Sequence, residues 1–197
     1  MFTGIVKETG VVKALSRRAG VCKISVFSPK TAKGVCIGDS IAVNGACLSV
    51  ISAGKGIMSF EMIPETGRLT NLGMLKIGSK VNIEPSLCFD DRLGGHLVLG
   101  HVDGMGFISK RKEKSGELEL EVRVSKEIRR LLVPKGPITI DGVSLTLGAR
   151  LGTFSFRVYL IPETLKKTTL GSLSLGSHVN IELDYVAKLI RQFYFEK

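Results

Sequence analysis

Acid–base chemistry near neutral pH needs a group that titrates there, and this chain of 197 residues has three: His96, His101 and His178. Two of them share residues 94–104, GGHLVLGHVDG. Gly94, Gly95, Gly100 and Gly104 give that stretch backbone freedom and allow close approach of a second group, so it reads as a site rather than as core. On an unbroken strand a spacing of five puts His96 and His101 on opposite faces, which argues against a paired metal ligand and leaves His96 as a support for the loop. His178 lies outside every motif and reads as a surface residue. Cys22, Cys36, Cys47 and Cys88 form no C-x-x-C pair and no zinc spacing, so they read as free thiols in a reducing cytoplasm.

The elements that must position these groups are mainly β. Short runs of Val, Ile, Leu and Thr are cut by 23 glycines, and 44% hydrophobic content is ample for a packed core. The chain also repeats itself. At an offset of about 97 residues, SIAVNGACLSV (40–50) lies against PITIDGVSLTL (137–147). IPET recurs at 63–66 and 161–164, Leu-Gly at 72–73 and 170–171, and VNIE at 81–84 and 179–182. Gly4, Val6 and Gly10 return as Gly100, Val102 and Gly106. Units of about 90 residues are too long for a solenoid and suit two small barrels.

Asn44-Gly45 and Asp141-Gly142 read as two-residue hairpin turns that need positive φ. Pro64 and Pro162 fit the first turn of a short helix, Glu65 and Glu163 complement its positive end, and Gly73 and Gly171 are placed to stop it. From Tyr185 onward, Val186, Leu189, Ile190 and Phe193 follow the spacing of an amphipathic helix. Some twelve residues are marginal as an isolated helix, so this one must dock on its own barrel or on another subunit.

A net charge of +10 raises the question of nucleic acid, but the charge is spread evenly: 12 basic and 7 acidic side chains in residues 1–93, 16 and 11 in residues 94–197. The basic runs at 110–114 and 126–130 contain Glu113 and Glu127, and with no Trp and three Tyr there is little to stack bases on. The chain therefore reads as no nucleic-acid binder. Nothing at the start has the form of a signal peptide, and no apolar run approaches the roughly 20 residues of a membrane span, so a soluble protein is expected.

MFTGIV, NGACLSV, the ET…TNLG…VNIE run, GGHLVLGHVDG, DGVSLT and IPETL, in this order across essentially the whole chain, resemble the alpha-type riboflavin synthases. The resemblance implies two homologous six-stranded Greek-key β-barrels in tandem, at 1–93 and 94–184, and an oligomerisation helix at 185–197 that builds a homotrimer. It implies dismutation of two molecules of 6,7-dimethyl-8-ribityllumazine, without metal or redox cofactor. A non-catalytic relative that binds lumazine or flavin is the alternative, and association with lumazine synthase stays open.

By resemblance, substrate contacts in the first half fall on Gly4, Ile5 and Val6, on Cys47, Leu48 and Ser49, and on Glu61, Met62, Ile63, Pro64, Glu65 and Thr66. In the second half they fall on Gly100, His101 and Val102, on Lys135, on Ser144, Leu145 and Thr146, and on Ile161, Pro162, Glu163, Thr164, Leu165 and Lys166. Gly67 stands where the second repeat has Leu165 and the family usually has Leu, which softens the first short helix. Two substrates with different roles need unlike sites, and the halves differ at Cys47 against Ser144, Asn44 against Asp141, and Ile5 against His101. The catalytic candidates are His101 as base or proton relay, Cys47 and Ser40 as nucleophilic or water-positioning groups, and Ser144 with Asp184 as their opposite number. His96 joins them, and Asp184 also fits the N-cap of the tail helix.

Overall fold

The structure is a computed structural model and describes residues 1–18, 20–114 and 116–195. The first repeat runs β1 (Glu8–Arg18), β2 (Val21–Phe27), β3 (Ser40–Val43), β4 (Ala46–Gly54), β5 (Ile57–Met62), α1 (Pro64–Leu69) and β6 (Lys80–Pro85). The second runs β7 (Gly104–Lys114), β8 (Glu117–Arg123), α2 (Lys126–Arg129), β9 (Pro137–Ile140), β10 (Val143–Thr146), β11 (Ser155–Leu160), α3 (Pro162–Lys167) and β12 (His178–Leu183), followed by α4 (Tyr185–Phe195).

Alternation decides which side of each strand faces in. Ile41 and Val43 on β3, Met58 and Phe60 on β5, and Val81 and Ile83 on β6 are buried in one core, because successive side chains of a strand point to opposite faces. The first repeat closes into a barrel in the order β1-β2-β5-β4-β3-β6, and the return of β6 beside β3 after the β3-β4-β5 meander is a Greek key. Both hairpin turns adopt the left-handed backbone expected of them, with φ of 46° and 79° at Asn44 and Gly45 and 46° and 77° at Asp141 and Gly142.

The second repeat has the same neighbours, but one seam is nearly open. Where β4 extends over nine residues beside β5, β10 has four, and its link to β11 is a bridge of Leu147 to Val158 with Gly148 N–H donating to the Arg157 carbonyl at 2.8 Å. Gly148 and the turn at Gly152, whose N–H donates to the Ser155 carbonyl, replace the alternating run VISAG of the first repeat.

Each short helix starts at its proline, but Gly73 and Gly171 do not stop it. Thr70 and Thr168 do: their backbones turn extended, and their hydroxyls donate back to the Thr66 and Thr164 carbonyls at 2.6 and 2.7 Å. Gly73 lies in the following 3-10 turn, where a β-carbon would overlap the Gly67 carbonyl. Nor does Gly67 shorten its helix, since α1 and α3 are both six residues long.

Along α4, Val186, Ile190 and Phe193 remain 55%, 52% and 67% exposed, beside a groove of about 800 Å³ lined by Leu131, Leu132 and Val133. Among the described residues no helix is long and apolar enough to cross a membrane.

Candidate functional site

Because Ile41, Val43, Ala46 and Leu48 point into the first barrel, the residues that alternate with them on β3 and β4 point out. Ser40 stands opposite Ser49 and Ala42 opposite Cys47, while on β6 Glu84 stands opposite Ala42. The second barrel repeats this outer face, with Thr139 opposite both Ser144 on β10 and Glu182 on β12. The two faces are turned toward each other. At their centre a β-carbon on Gly45 would lie 2.6 Å from the Gly142 nitrogen, so the hairpins meet backbone to backbone.

Amides from the VNIE motifs cross this junction. The Asn82 side chain donates to the Asp141 carbonyl and that of Asn180 to the Asn44 carbonyl, both at 2.8 Å. In return Asn82 Oδ1 accepts from Thr169 N–H at 2.8 Å and Asn180 Oδ1 from Asn71 N–H at 2.7 Å. Asp141 Oδ1 accepts from Asn180 N–H at 2.7 Å and from the Asn71 amide at 2.8 Å. Complete burial nonetheless pushes the Asp141 carboxyl up to about 7.

The segments that begin the two repeats are exchanged between the barrels. Gly4 accepts from Ser144 N–H at 2.8 Å, and Gly100 accepts from Cys47 N–H at 2.9 Å. Val6 packs into the second core and Val102 against the first. The expected contacts therefore regroup. Cys47, Leu48 and Ser49 with residues 61–66 are joined by Gly100, His101 and Val102, whereas Ser144, Leu145 and Thr146 with residues 161–166 are joined by Gly4, Ile5 and Val6. For both glycine segments the spatial neighbours therefore differ from the chain-half order, because the register of the crossing lies in tertiary hydrogen bonds.

Residues 94–103 are not an unbroken strand, so His96 and His101 are not set on its two faces; only Val98 forms a bridge, to Phe2. His96 turns into the second face, where Nδ1 lies 2.7 Å from Ser144 Oγ and Nε2 lies 3.2 Å from Thr139 Oγ1. Burial lowers its pKa below the ordinary 6.5, opposed in part by the charge of Asp184, so at neutral pH the ring is uncharged and one nitrogen can accept from a hydroxyl. His101 follows the Gly100 carbonyl bonded at Cys47 and is exposed. Half-buried Cys47 packs against Phe2, Ala42 and Val98 and is a free thiol.

The rest of the expected rim divides by orientation. Leu48 and Met62 are 5% and 2% exposed, within the first core, so only their backbones can meet a ligand. Ile63 and Ile161 are 61% and 58% exposed at the start of α1 and α3. Ser49, Glu61, Pro64, Glu65, Lys135, Thr146, Pro162, Glu163 and Lys166 are exposed, and Thr66, Leu145, Thr164 and Leu165 are half-buried. Lys135 precedes β9 with a left-handed φ of 63°. Asp184 caps α4, its Oδ1 accepting from Ala187 N–H at 2.9 Å. His178 is exposed, its ring against Phe107.

Residue-type reasoning passed over Glu84, Glu182, Thr139, Asn71, Asn82 and Asn180. The signal for four of them was present in the repeated VNIE, whose Asn and Glu alternate with inward apolar residues and so fall on one outer face. No group of three His, Cys, Asp or Glu able to hold a metal occurs among the described residues.

The model of the lumazine-binding domain matches the chain at residues 3–86 and again at 99–184, so this is a tandem lumazine-binding protein. Over 197 residues it is 40% identical to the riboflavin synthase of Actinobacillus pleuropneumoniae, covering 100% of this chain and 91% of that one. The riboflavin synthase of Bacillus subtilis (strain 168) is 39% identical over 193 residues, 98% of this chain and 89% of that one. Among solved structures, that of LumP complexed with riboflavin is similar at a TM-score of 0.86 and 26% identity, covering 93% of this chain and 100% of that one. The chain belongs to the riboflavin synthase family.

Proposed function

We propose that this chain converts two molecules of 6,7-dimethyl-8-ribityllumazine into riboflavin and 5-amino-6-(D-ribitylamino)uracil, moving a four-carbon unit from one lumazine to the other. The observation that supports this reading most directly is the pair of related but unequal rims: Cys47 with His101 on one, Ser144 with His96 and Ile5 on the other. A dismutation needs two pockets for one heterocycle, one for the donor and one for the acceptor, and a duplicated barrel supplies them. Backbone groups along both rims suit the amide-like edge of a pteridine ring.

The donor's 7-methyl group must lose a proton before carbon–carbon bond formation. Neutral His96, hydrogen-bonded to Ser144 Oγ and steadied through Thr139, is able to take a proton by way of that hydroxyl. His101 serves as base or relay at the other rim, and Cys47 with Ser40 as nucleophile or water-positioning groups. The uncovered stripe of α4 and its groove support assembly as a homotrimer, in which the working site lies between the first barrel of one subunit and the second of another. We place this activity in the cytoplasm and include association with lumazine synthase in the same reading.

Incubation with 6,7-dimethyl-8-ribityllumazine tests the proposal. Riboflavin should form at one equivalent per two lumazines consumed, and a non-reactive analogue should titrate to two sites per chain. Tight binding with no riboflavin formed would favour the non-catalytic alternative, whose fold is the same.

A further inference from the structure

Two buried carboxylates, Glu84 on β6 and Glu182 on β12, hold the exchanged segments by their backbone amides. Glu84, 4% exposed, accepts from Thr3 N–H and the Thr3 hydroxyl, both at 2.8 Å, and from Gly4 N–H at 3.1 Å. Glu182, 5% exposed, accepts from Leu99 N–H at 2.7 Å and from Gly100 N–H at 3.1 Å. In each case the glycine then passes to the opposite barrel, where its carbonyl takes the N–H of Ser144 or Cys47. The fit leaves no slack. Gly4 and Gly100 have φ of 76° and 79°, and a β-carbon on either would come within 2.7 Å of the Ser144 or Cys47 β-carbon.

We infer that Glu84 and Glu182 are positioning residues acting crosswise: Glu84 of the first barrel sets the rim at Ser144, and Glu182 of the second sets the rim at Cys47 and His101. The physical reason is a two-ended clamp. A charged acceptor holds the amide side of one glycine, which fixes where its carbonyl can receive a strand N–H about one residue away. Burial raises both acids, and loss of either carboxyl would leave a pair of amides without their acceptor. The crosswise assignment follows from the hydrogen bonds alone; its bearing on catalysis rests on the proposed reaction.

Amide hydrogen exchange on the full-length protein tests the clamp independently of turnover. In Glu182→Gln the Cys47 amide should exchange about tenfold to a hundredfold faster, the loss expected for a charge-assisted hydrogen bond, while the Ser144 amide stays as in wild type. In Glu84→Gln the pattern should invert. Equal acceleration of both amides in either variant, or acceleration only within the mutated barrel, would overturn the crosswise assignment. If a variant does not fold, the wild-type protein still decides: Leu99, Gly100 and Cys47 should share one opening equilibrium and Thr3, Gly4 and Ser144 another, and any other grouping refutes the clamp. Should exchange follow this pattern while kcat for riboflavin formation stays unchanged in both variants, the clamp stands and the proposed reaction at these rims fails.

Discussion

The outer face of the first barrel at Cys47 and that of the second at Ser144 share one backbone plan and differ in chemistry. At the first, Ala42 and Cys47 pack with Phe2 and Val98 in a small apolar cluster, and His101, next to the Gly100 carbonyl bonded at Cys47, is exposed. At the second, Thr139 and Ser144 face a half-buried neutral imidazole that touches both hydroxyls. One face is therefore apolar with a thiol, and the other polar with a hydrogen-bonded hydroxyl. The repeats keep one frame and differ at facing positions such as Ala42 against Thr139 and Cys47 against Ser144, as two unlike pockets for one substrate would need.

The comparison can be broken most completely by removing the tail. Deletion of residues 185–197 should dissociate the proposed trimer and abolish turnover, because the partner surface loses Val186, Ile190 and Phe193; sedimentation would show it, and an unchanged assembly would mean that α4 docks on its own chain.

His101→Gln should come next, lowering turnover by about a hundred- to ten-thousandfold, as for a lost acid–base group, while analogue affinity falls far less. Unchanged turnover would reduce His101 to packing. Making the faces alike is a finer test. Cys47→Ser should depress the single-turnover rate by on the order of tenfold or more with analogue binding nearly intact, whereas Ser144→Cys disturbs the contact with His96. Equal, mild effects at both positions would locate the asymmetry elsewhere.

The two faces should also answer differently to pH. His96 has a lowered pKa when folded, so its contribution to stability is present above 6.5 and is lost as pH falls through the lower folded value. Denaturant midpoints of His96→Gln should lack that acid-side loss. The smallest effect on activity is expected at Asp141, where the first repeat already shows that Asn fits, since Asn44 Oδ1 accepts from Asn82 N–H at 2.8 Å. Asp141 has a raised folded pKa, so its contribution is fully present below the ordinary 3.8 and is lost as pH rises through about 7. Asp141→Asn should therefore gain stability over wild type as pH rises from 4 to 8, by up to a few kcal/mol on the order expected for a shift of about three units. A difference independent of pH would remove Asp141 from the account.

Local rules carried much of this molecule. Asn44-Gly45 and Asp141-Gly142 had to be turns because they combine residues that tolerate positive φ between β-branched runs, and Pro64 and Pro162 had to open helices because their missing N–H costs nothing there. Repetition of VNIE and IPET set two barrels, and the helical spacing of Val186, Leu189, Ile190 and Phe193 made α4 amphipathic. Tertiary structure alone decided which glycine segment serves which barrel. Gly4 and Gly100 read identically along the chain, and their destinations depend on hydrogen bonds to strands more than 50 residues away, and the setting of His96 between Ser144 and Thr139 likewise rests on strands more than 40 residues away. Periodicity encodes which face a side chain takes; it carries no term for which neighbouring face will cover it.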